Sequence, residues 1–205
     1  MKTIYFVRHG ETLFNKEKRL QGWNDSPLSD NGIRHAESVS NILSDCGIQQ
    51  AWVSPLGRAR QTAEIICRSN GIDYKVDPNL KEVSFGDFEG NTLPELEEKY
   101  PGLWQERQAD KWHFRPPNGE ANKDAVPRAR SVIQRIENED DGFPLLIVAH
   151  FAINRILISQ LVGIAPVDTI RISVPHGVVY RVQWDTDRWV SHYLDTSQID
   201  VVYQE

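Results

Sequence analysis

The feature that most constrains the fold is an apolar stretch near the start that runs directly into charged residues. Residues 4–7 are apolar and mostly β-branched or aromatic, which predicts a buried β-strand. Arg8, His9 and Gly10 follow at once. Burying an arginine and a histidine is costly unless a charged group meets them, and ligands of open α/β sheets bind at the carboxyl ends of strands. Because a surface Arg-His pair fits this stretch equally well, the rest of the chain must distinguish the two interpretations.

Strand-like and helix-like segments alternate over most of the chain. After the first strand, the patterns predict strands at residues 51–54, 74–76 and 145–149 and helices at about residues 29–47, 56–67, 126–136 and 152–162. Residues 13–27 predict a long loop, and residues 178–184 and 189–193 a C-terminal strand pair. This alternation indicates an α/β fold with a mostly parallel sheet covered on both faces, to which the C-terminal pair adds an antiparallel edge.

One segment breaks this rhythm. Residues 83–118 contain a short predicted helix at 95–100 and several aromatic residues, among them Trp104, Trp112 and Phe114. We interpret residues 83–118 as an inserted cap over one end of the sheet and call them the cap segment. Its aromatic residues fit core packing beneath the insertion, and they also fit a lining for the leaving group of a substrate.

Composition narrows the class of protein. The 205 residues predict a single domain, residues 1–205, with a modest insertion. A net charge of −6 without basic runs argues against nucleic acid or a membrane as partner. Cys46 and Cys67 are too few for a disulfide framework and predict free thiols of a reducing compartment. With no apparent signal peptide or transmembrane stretch, we expect a soluble cytoplasmic protein.

Charged residues recur where the predicted strands end. His9 and His150 each follow a buried strand, and Arg58 lies in the first turn of the helix after the second strand. Because parallel strands place their carboxyl ends on one side of a sheet, we expect these residues and Arg8 to converge on one pocket. Two arginines beside two histidines repel one another unless an anion binds, and guanidinium groups pair bidentately with phosphate. The chain contains no P-loop motif.

The residue types in this pocket indicate phosphoryl chemistry. Imidazole is largely neutral near pH 7 and forms a covalent phospho-intermediate that hydrolyses readily. Neighbouring arginines favour the neutral imidazole and stabilise the charge on a transferred phosphoryl group. A leaving alkoxide also needs a proton donor, and Glu82 is the candidate because a nearby phosphate raises the pKa of a carboxyl group.

A series of short blocks, in order along most of the chain, adds a resemblance to a known family. The blocks are Arg8-His9-Gly10-Glu11-Thr12 with Asn15, Gln21-Gly22 with Asp25-Ser26-Pro27-Leu28-Ser29 and Gly32, Ser54-Pro55-Leu56 with Arg58-Ala59 and Gln61-Thr62-Ala63, Leu80-Lys81-Glu82 with Phe85-Gly86 and Glu89-Gly90, Gly119-Glu120, and Val148-Ala149-His150. Each block alone is a weak signal. Together they resemble the histidine phosphatase superfamily, which includes the cofactor-dependent phosphoglycerate mutases.

The resemblance implies a doubly wound three-layer α/β sandwich of the phosphoglycerate mutase type, with neither a catalytic metal nor another cofactor. It implies that His9 is the phosphorylated nucleophile and that Glu82 is the acid that later acts as base for water. The transferred phosphoryl group would be held by Arg8, Arg58 and His150. Further contacts with phosphate or substrate are implied for Asn15, Gln21, Gly22 and Phe151.

Three positions depart from the family pattern. Phe151 stands where many relatives carry glycine; its backbone N–H is retained, but its ring would narrow the pocket or pack over the leaving group. His35 replaces a common glutamine and is interpreted as structural. His176 replaces a common asparagine, and for it, as for His113 and His192, an ordinary core or surface role is favoured. No two histidines fall at metal-ligand spacing on one element, so we expect no metal site.

The resemblance also bears on the type of reaction. A mutase would be expected to carry Arg-His-Tyr-Gly after the acid and a longer insertion with paired arginines. Here residues 83–86 are Val-Ser-Phe-Gly, and the insertion has only scattered Arg107 and Arg115. We therefore predict a phosphomonoesterase of the histidine acid phosphatase type acting on a small phosphorylated metabolite. A phosphoglycerate mutase and a non-catalytic phospho-ligand-binding protein are the alternatives, and a monomer or a homodimer fits the sequence.

Overall fold

A computed structural model describes residues 2–138, 144–186 and 188–194, and the side chain of His192 falls outside the described part. Within these ranges six strands form one sheet in the order β3-β2-β4-β1-β5-β6. The first four in this order are mutually parallel, and β5 and β6 are antiparallel to their neighbours. The strands are β1 (Thr3–Arg8), β2 (Gln50–Val53), β3 (Asp73–Val76), β4 (Leu145–Ala149), β5 (Val179–Asp185) and β6 (Arg188–Leu194). The predicted mostly parallel sheet with an antiparallel C-terminal edge is confirmed.

Helices cover both faces of this sheet. Alternate residues of β1 point to opposite faces, so that Ile4 and Phe6 join one buried cluster and Tyr5 and Val7 join another. The first cluster lies against α6 (Val126–Asn138) and α7 (Phe151–Val162), and the second against α2 (Asp30–Leu43) and α3 (Gly57–Asn70). Each fully buried aliphatic or aromatic side chain stabilises the fold by roughly 1.5–3 kcal/mol. The molecule is therefore the expected doubly wound three-layer sandwich.

Local signals explain most of the helix ends. The Ser29 side chain accepts a hydrogen bond from the Gly32 N–H at 3.0 Å, so α2 begins where the N-cap predicts. Gly71 adopts the left-handed conformation, with φ of 64°, that ends α3. Two short helices were not predicted. A capping box between Thr12 and Asn15 starts α1 (Leu13–Lys16) inside the predicted loop, and α5 (Leu103–Ala109) follows α4 (Leu93–Lys99) in the cap segment.

The cap segment uses its aromatic residues in two ways. Trp112 is only 8% exposed and belongs to the core cluster under α6 and α7. Phe114 stacks on the buried Phe88 ring with the centroids 6.2 Å apart. Trp104 is half-buried, and the Arg107 guanidinium lies 5.0 Å from its ring. Core packing therefore accounts for Trp112 and Phe114. It does not account for Trp104, which stays available as a lining for the leaving group of a substrate.

The described part of the chain contains no helix with both the length and the apolar character needed to cross a membrane. Cys46 is half-buried and Cys67 buried, and both are free. Burial raises the pKa of the Cys67 thiol to about 12, so this group stays protonated at neutral pH. The predicted free thiols are thus confirmed.

Candidate active site

The ends of β1 and β4 bring the two predicted histidines together. The His9 N–H donates to the Ala149 carbonyl at 3.0 Å, which continues the parallel ladder beyond the Arg8–Ala149 pair. His9 and His150 therefore leave neighbouring strands at the same level. Their ring centroids lie 5.2 Å apart, and the two side chains are almost completely buried.

Gly10 is required by the close approach of α2 to this turn. A Cβ atom at Gly10 would lie 2.8 Å from the carbonyl carbon of Gly32, in the first turn of that helix. A larger residue would push the helix away from the strand end. The Arg-His-Gly run thus places the His9 ring against a fixed backbone.

The hydrogen bonds of His9 show which of its two ring nitrogens carries no proton. Nδ1 lies 2.8 Å from the Gly10 carbonyl oxygen, and because a carbonyl only accepts, Nδ1 carries the proton. Nε2 then has a lone pair and accepts a hydrogen bond from Nε of Arg58 at 3.2 Å. Nε2 is therefore the atom of His9 that can attack phosphorus.

Arg58 is held by acceptors on several sides. Its side chain is 1% exposed, and its terminal nitrogens donate to the carbonyl oxygens of Gly22 and Asn24 at 2.7 and 2.9 Å and to Oδ1 of Asp25 at 3.2 Å. Burial lowers the pKa of Arg58, and the Glu82 and Asp25 carboxylates oppose that shift. A guanidinium held in this way need not move when an anion binds.

Two carboxylates fix the loop that holds Arg58. Asp25 accepts hydrogen bonds from the first N–H groups of α3, which otherwise lacks a side-chain cap. Glu89 accepts from the N–H groups of Trp23 and Asn24, each at 2.8 Å, and from that of Phe85 at 2.9 Å. The residues after Gln21 are thereby tied both to α3 and to the start of the cap segment.

His150 has one occupied and one free nitrogen. Its Nε2 lies 2.6 Å from the Ser54 hydroxyl oxygen, which follows β2. Its Nδ1 is buried, and it has no hydrogen-bond partner among the described residues. When the Ser54 hydroxyl donates to Nε2, Nδ1 carries the proton and is available as a donor.

Burial and positive neighbours keep both rings neutral. The pKa of His9 lies well below its ordinary value, first because of burial and then because of His150, Arg8 and Arg58. The pKa of His150 is likewise depressed by burial and by Arg58 and Arg8. The nucleophilic lone pair of His9 is therefore available at neutral pH.

Glu82 lies beside His150 at the beginning of α7. Its carboxyl oxygens accept hydrogen bonds from the N–H groups of Ala152 at 3.1 Å, Ile153 at 3.2 Å and Val83 at 2.9 Å. The residue is 8% exposed. The backbone therefore fixes the predicted proton donor next to the predicted phosphoryl-binding histidine.

Arg8 and Phe151 are in contact at the edge of the pocket. The Arg8 guanidinium carbon lies 4.8 Å from the Phe151 ring centroid, and that of Arg155 lies 3.7 Å from the same ring. Nη1 of Arg8 donates to the Val174 carbonyl at 3.3 Å, while its Nε is buried and meets no hydrogen-bond partner in the described part of the chain. Burial lowers the pKa of Arg8 to about 10, so it remains a cation at neutral pH. The Phe151 ring thus contacts two guanidinium groups.

The other residues predicted to bind phosphate or substrate, Asn15, Gln21 and Gly22, differ in what their polar groups contact. Asn15 completes the cap of α1, with its Oδ1 accepting from the Thr12 N–H at 3.1 Å. Gln21 donates to the Thr12 hydroxyl at 2.6 Å, and its buried Oε1 finds no partner within residues 2–138, 144–186 and 188–194. Gly22 reaches the site through its carbonyl, which accepts from Arg58. Asn15 is thus engaged in helix capping, and Gln21 retains a free polar atom.

Residues without a role predicted from the sequence also contact the site. His176 donates from Nδ1 to the His9 carbonyl at 2.6 Å, and Thr62 accepts from the Gly10 N–H at 3.0 Å. Ser54 and Thr62 belong to the matching sequence blocks, which was a usable signal. The sequence marks His176 only as a departure from the family pattern, because it predicts a C-terminal antiparallel edge but not that this edge pairs with β1. Within the described ranges, no cluster of His, Cys, Asp and Glu side chains could hold a metal ion.

Comparisons with known proteins find relatives of this chain over nearly its whole length. The chain is 31% identical over 191 residues to the probable phosphoglycerate mutase GpmB of Cronobacter sakazakii, covering 93% of this chain and 89% of the relative. The α-ribazole phosphatase of Shigella flexneri superposes with a TM-score of 0.85 at 25% identity, covering 94% and 95% of the two chains. Bacillus stearothermophilus YhfR superposes with a TM-score of 0.84 at 29% identity, covering 93% and 95%. The model of the histidine phosphatase superfamily (branch 1) matches residues 4–196, and the chain therefore belongs to that superfamily.

Proposed function

We propose that this protein is a metal-independent phosphomonoester hydrolase that acts on a small phosphorylated metabolite through a phosphohistidine intermediate. The observation that carries the proposal is the contact between Nε of Arg58 and Nε2 of His9 at 3.2 Å, with the His150 ring 5.2 Å from the His9 ring. This arrangement holds a neutral nucleophile beside a fixed cation and a second imidazole. It suits the transfer of a negatively charged phosphoryl group.

In the first step, Nε2 of His9 attacks phosphorus, and the bond between phosphorus and the ester oxygen breaks. The protonated Glu82 carboxyl group gives its proton to the leaving oxygen, while Arg8, Arg58 and His150 stabilise the charge on the phosphoryl oxygens. In the second step, the Glu82 carboxylate takes a proton from water. The water oxygen attacks phosphorus, the N–P bond breaks, and inorganic phosphate leaves.

We place the leaving group on the side of the cap segment. The Arg107 guanidinium lies 4.8 Å from the Phe85 ring and 5.0 Å from the Trp104 ring. Burial lowers the pKa of Arg107 to about 10, and the negative charge of Glu82 opposes that shift. Arg107 therefore interacts electrostatically with the residue that we propose as proton donor. A cation flanked by two aromatic rings suits a leaving group with a planar or an anionic part.

The substrate-binding roles of Asn15, Gln21, Gly22 and Phe151 also belong to this proposal. The unpartnered Oε1 of Gln21 supports a hydrogen bond to a substrate hydroxyl, and the Phe151 N–H at the start of α7 suits an anion. The free thiols Cys46 and Cys67 support a location in a reducing compartment such as the cytoplasm. A monomer and a homodimer are both compatible with it.

A phosphoglycerate mutase is the second candidate function. It is favoured by the relative from Cronobacter sakazakii, whose name is that of a mutase. The Val-Ser-Phe-Gly sequence after Glu82 and the absence of paired arginines in the cap segment favour hydrolysis. The two reactions share the phosphohistidine and differ in the acceptor, which is water in one and a phosphoglycerate in the other.

The test is a hydrolysis screen over phosphorylated metabolites in the presence of a metal chelator, with isomerisation of 3-phosphoglycerate measured alongside. We expect phosphate release from at least one ester and an acid-labile phosphohistidine at His9 after rapid quenching. Isomerisation faster than any hydrolysis would assign the protein to the mutases. A chain that binds phosphate esters but never forms phosphohistidine would be a binding protein.

A further inference from the structure

We propose that His176 is a positioning residue for phosphoryl transfer, acting with Thr62 to hold the backbone that orients His9. The inference rests on the proposed function, because it assigns a task within the same reaction. His176 touches no expected substrate atom in this role. It acts through the peptide group that joins His9 to Gly10.

That peptide group is anchored at both of its polar atoms. Its carbonyl oxygen, on His9, accepts from Nδ1 of His176 at 2.6 Å, and its N–H, on Gly10, donates to the Thr62 hydroxyl at 3.0 Å. The next carbonyl, on Gly10, accepts from Nδ1 of His9 at 2.8 Å. Since Gly10 lacks a Cβ and can adopt many backbone conformations, the turn needs anchors outside itself.

His176 is itself fixed by α2. Its ring stacks on that of His35 with centroids 6.0 Å apart and planes inclined by 5°. Gly177, with φ of 74°, allows this approach, since a Cβ there would lie 3.1 Å from the His35 ring. The His176 and His9 ring centroids lie 5.3 Å apart. His176 therefore links the nucleophile to a helix that carries no catalytic group.

The protonation state of His176 suits a ring that donates one hydrogen bond from Nδ1 at neutral pH. Burial, with help from Arg8, lowers its pKa to about 4, so the ring is neutral at neutral pH. The proton of the neutral ring must be on Nδ1, because the His9 carbonyl can only accept. Loss of this donor frees the turn, and a misplacement of about 1 Å at a reacting atom costs up to about 100-fold in rate.

The experiment compares variants that keep or remove this single hydrogen bond. Asparagine places an amide N–H as many bonds from the backbone as Nδ1, whereas glutamine places it one bond further away. We expect His176→Gln and His176→Ala to slow the formation of phosphohistidine about 10- to 100-fold in single-turnover rapid-quench measurements, and His176→Asn to stay within about threefold of the parent. Because substrate contacts are untouched, KM should change little.

Thr62 provides an independent pair of variants. Thr62→Val removes the acceptor of the Gly10 N–H at nearly constant volume, while Thr62→Ser retains it. We expect the valine variant to slow the same step and the serine variant to keep it. If His176→Ala fails to fold, this pair and His176→Asn against His176→Gln still decide the question.

Nitrogen-15 NMR of the histidine rings gives a readout that does not depend on activity. In the parent we expect His9 to carry its proton on Nδ1, and in His176→Gln and Thr62→Val we expect a mixture of tautomers. Unchanged tautomer populations together with an unchanged phosphorylation rate would overturn the inference, as would equal losses in His176→Asn and His176→Gln. If the parent forms no phosphohistidine, the proposed function fails, while the tautomer measurement still tests the positioning role.

Discussion

The strand-end groups of the site and the cap-segment groups that we propose to face them differ in how they are held. On the strand-end side, which comprises His9, Arg58, Glu82 and His150, polar atoms are fixed by backbone carbonyl and N–H groups and by one another. On the cap side, which comprises Phe85, Trp104 and Arg107, the guanidinium lies over two rings, and no ion pair is seen for it in the described part of the chain. One side is built from strand ends and helix starts, and the other from a helix and turns of the cap segment.

This difference has a chemical consequence. Groups fixed by the backbone stabilise developing charge without reorganising, which is what phosphoryl transfer requires. A cation that rests on aromatic faces can shift to meet leaving groups of different shape. We therefore expect substitutions on the strand-end side to abolish turnover and substitutions on the cap side to change which ester is preferred.

The largest effect is expected for His9→Ala, which removes the nucleophile from the strand-end side. Phosphohistidine should be absent, and turnover in the presence of a chelator should fall by at least about 10³-fold. His113→Ala is the matched control, because His113 is exposed and pairs with Asp110 at 3.0 Å. Hydrolysis of p-nitrophenyl phosphate by His9→Ala at the parent rate would refute the assignment.

Glu82→Gln should have the next largest effect, and its size should depend on the leaving group. Because glutamine cannot donate a proton in the first step, turnover of alkyl phosphates should fall by about 10²- to 10⁴-fold. Esters such as p-nitrophenyl phosphate, which need no proton on the leaving oxygen, should be affected much less in that step. Rapid-quench rates of phosphohistidine formation over a series of esters with graded leaving groups measure this, and a uniform loss of that rate across the series would contradict the role of Glu82 as proton donor.

On the cap side, Arg107→Ala should change substrate ranking while leaving the chemical step intact. The loss for an ester with an anionic leaving group should be about tenfold greater than for a neutral one, equivalent to about 1.4 kcal/mol. Arg115→Ala is the matched control, because Arg115 is exposed and pairs with Asp124 at 2.8 Å. The ranking of an ester panel by kcat/KM decides, and an unchanged order would place the leaving group elsewhere.

The smallest expected effect is that of mild acid on the strand-end side. Burial and the positive charges of Arg8 and Arg58 hold the pKa of His9 well below its ordinary value, so the ring should stay neutral as the pH falls. Phosphohistidine formation should therefore change little between about pH 7.5 and 6, although an unperturbed imidazole with pKa of about 6.5 would be mostly protonated at the lower end. Rapid-quench rates with an ester whose ionisation is constant over this range test this, and a halving at pH 6.5 would contradict it.

Local patterns were sufficient for much of the fold. The apolar run of residues 4–7 and the helical spacing after Ser29 and Leu56 act through neighbouring residues, so the sequence predicted β1 and the starts of α2 and α3. The predicted ends at residues 47 and 67 were less accurate, because α2 ends at Leu43 and α3 continues to Asn70. The short helices α1 and α5 were not predicted from the sequence. The start of α1 depends on its capping residues, Thr12 and Asn15. The left-handed Gly102, with φ of 79°, caps the start of α5, which begins only four residues after α4 ends at Lys99.

The residues of the candidate site likewise divide into those that the sequence predicted and those that it did not. His9, Arg58, Glu82 and His150 were predictable, because parallel strands align their carboxyl ends and each residue stands at a fixed offset from a strand or helix. For Trp112 the sequence left core packing and substrate lining both open, and for His176 it gave no contact with His9, because each depends on packing between segments far apart in the chain.

The sequence by itself determined the order of the strands and longer helices, the family, and the candidate residues for phosphoryl chemistry at the strand ends. Those features depend on side-chain type and on spacing along one element. Only the tertiary structure decided which nitrogen of His9 is free, what holds Arg58 in place and which aromatic residues of the cap segment are buried. Hydrogen-bond direction and burial arise from groups that meet through space, and no spacing along the chain encodes them.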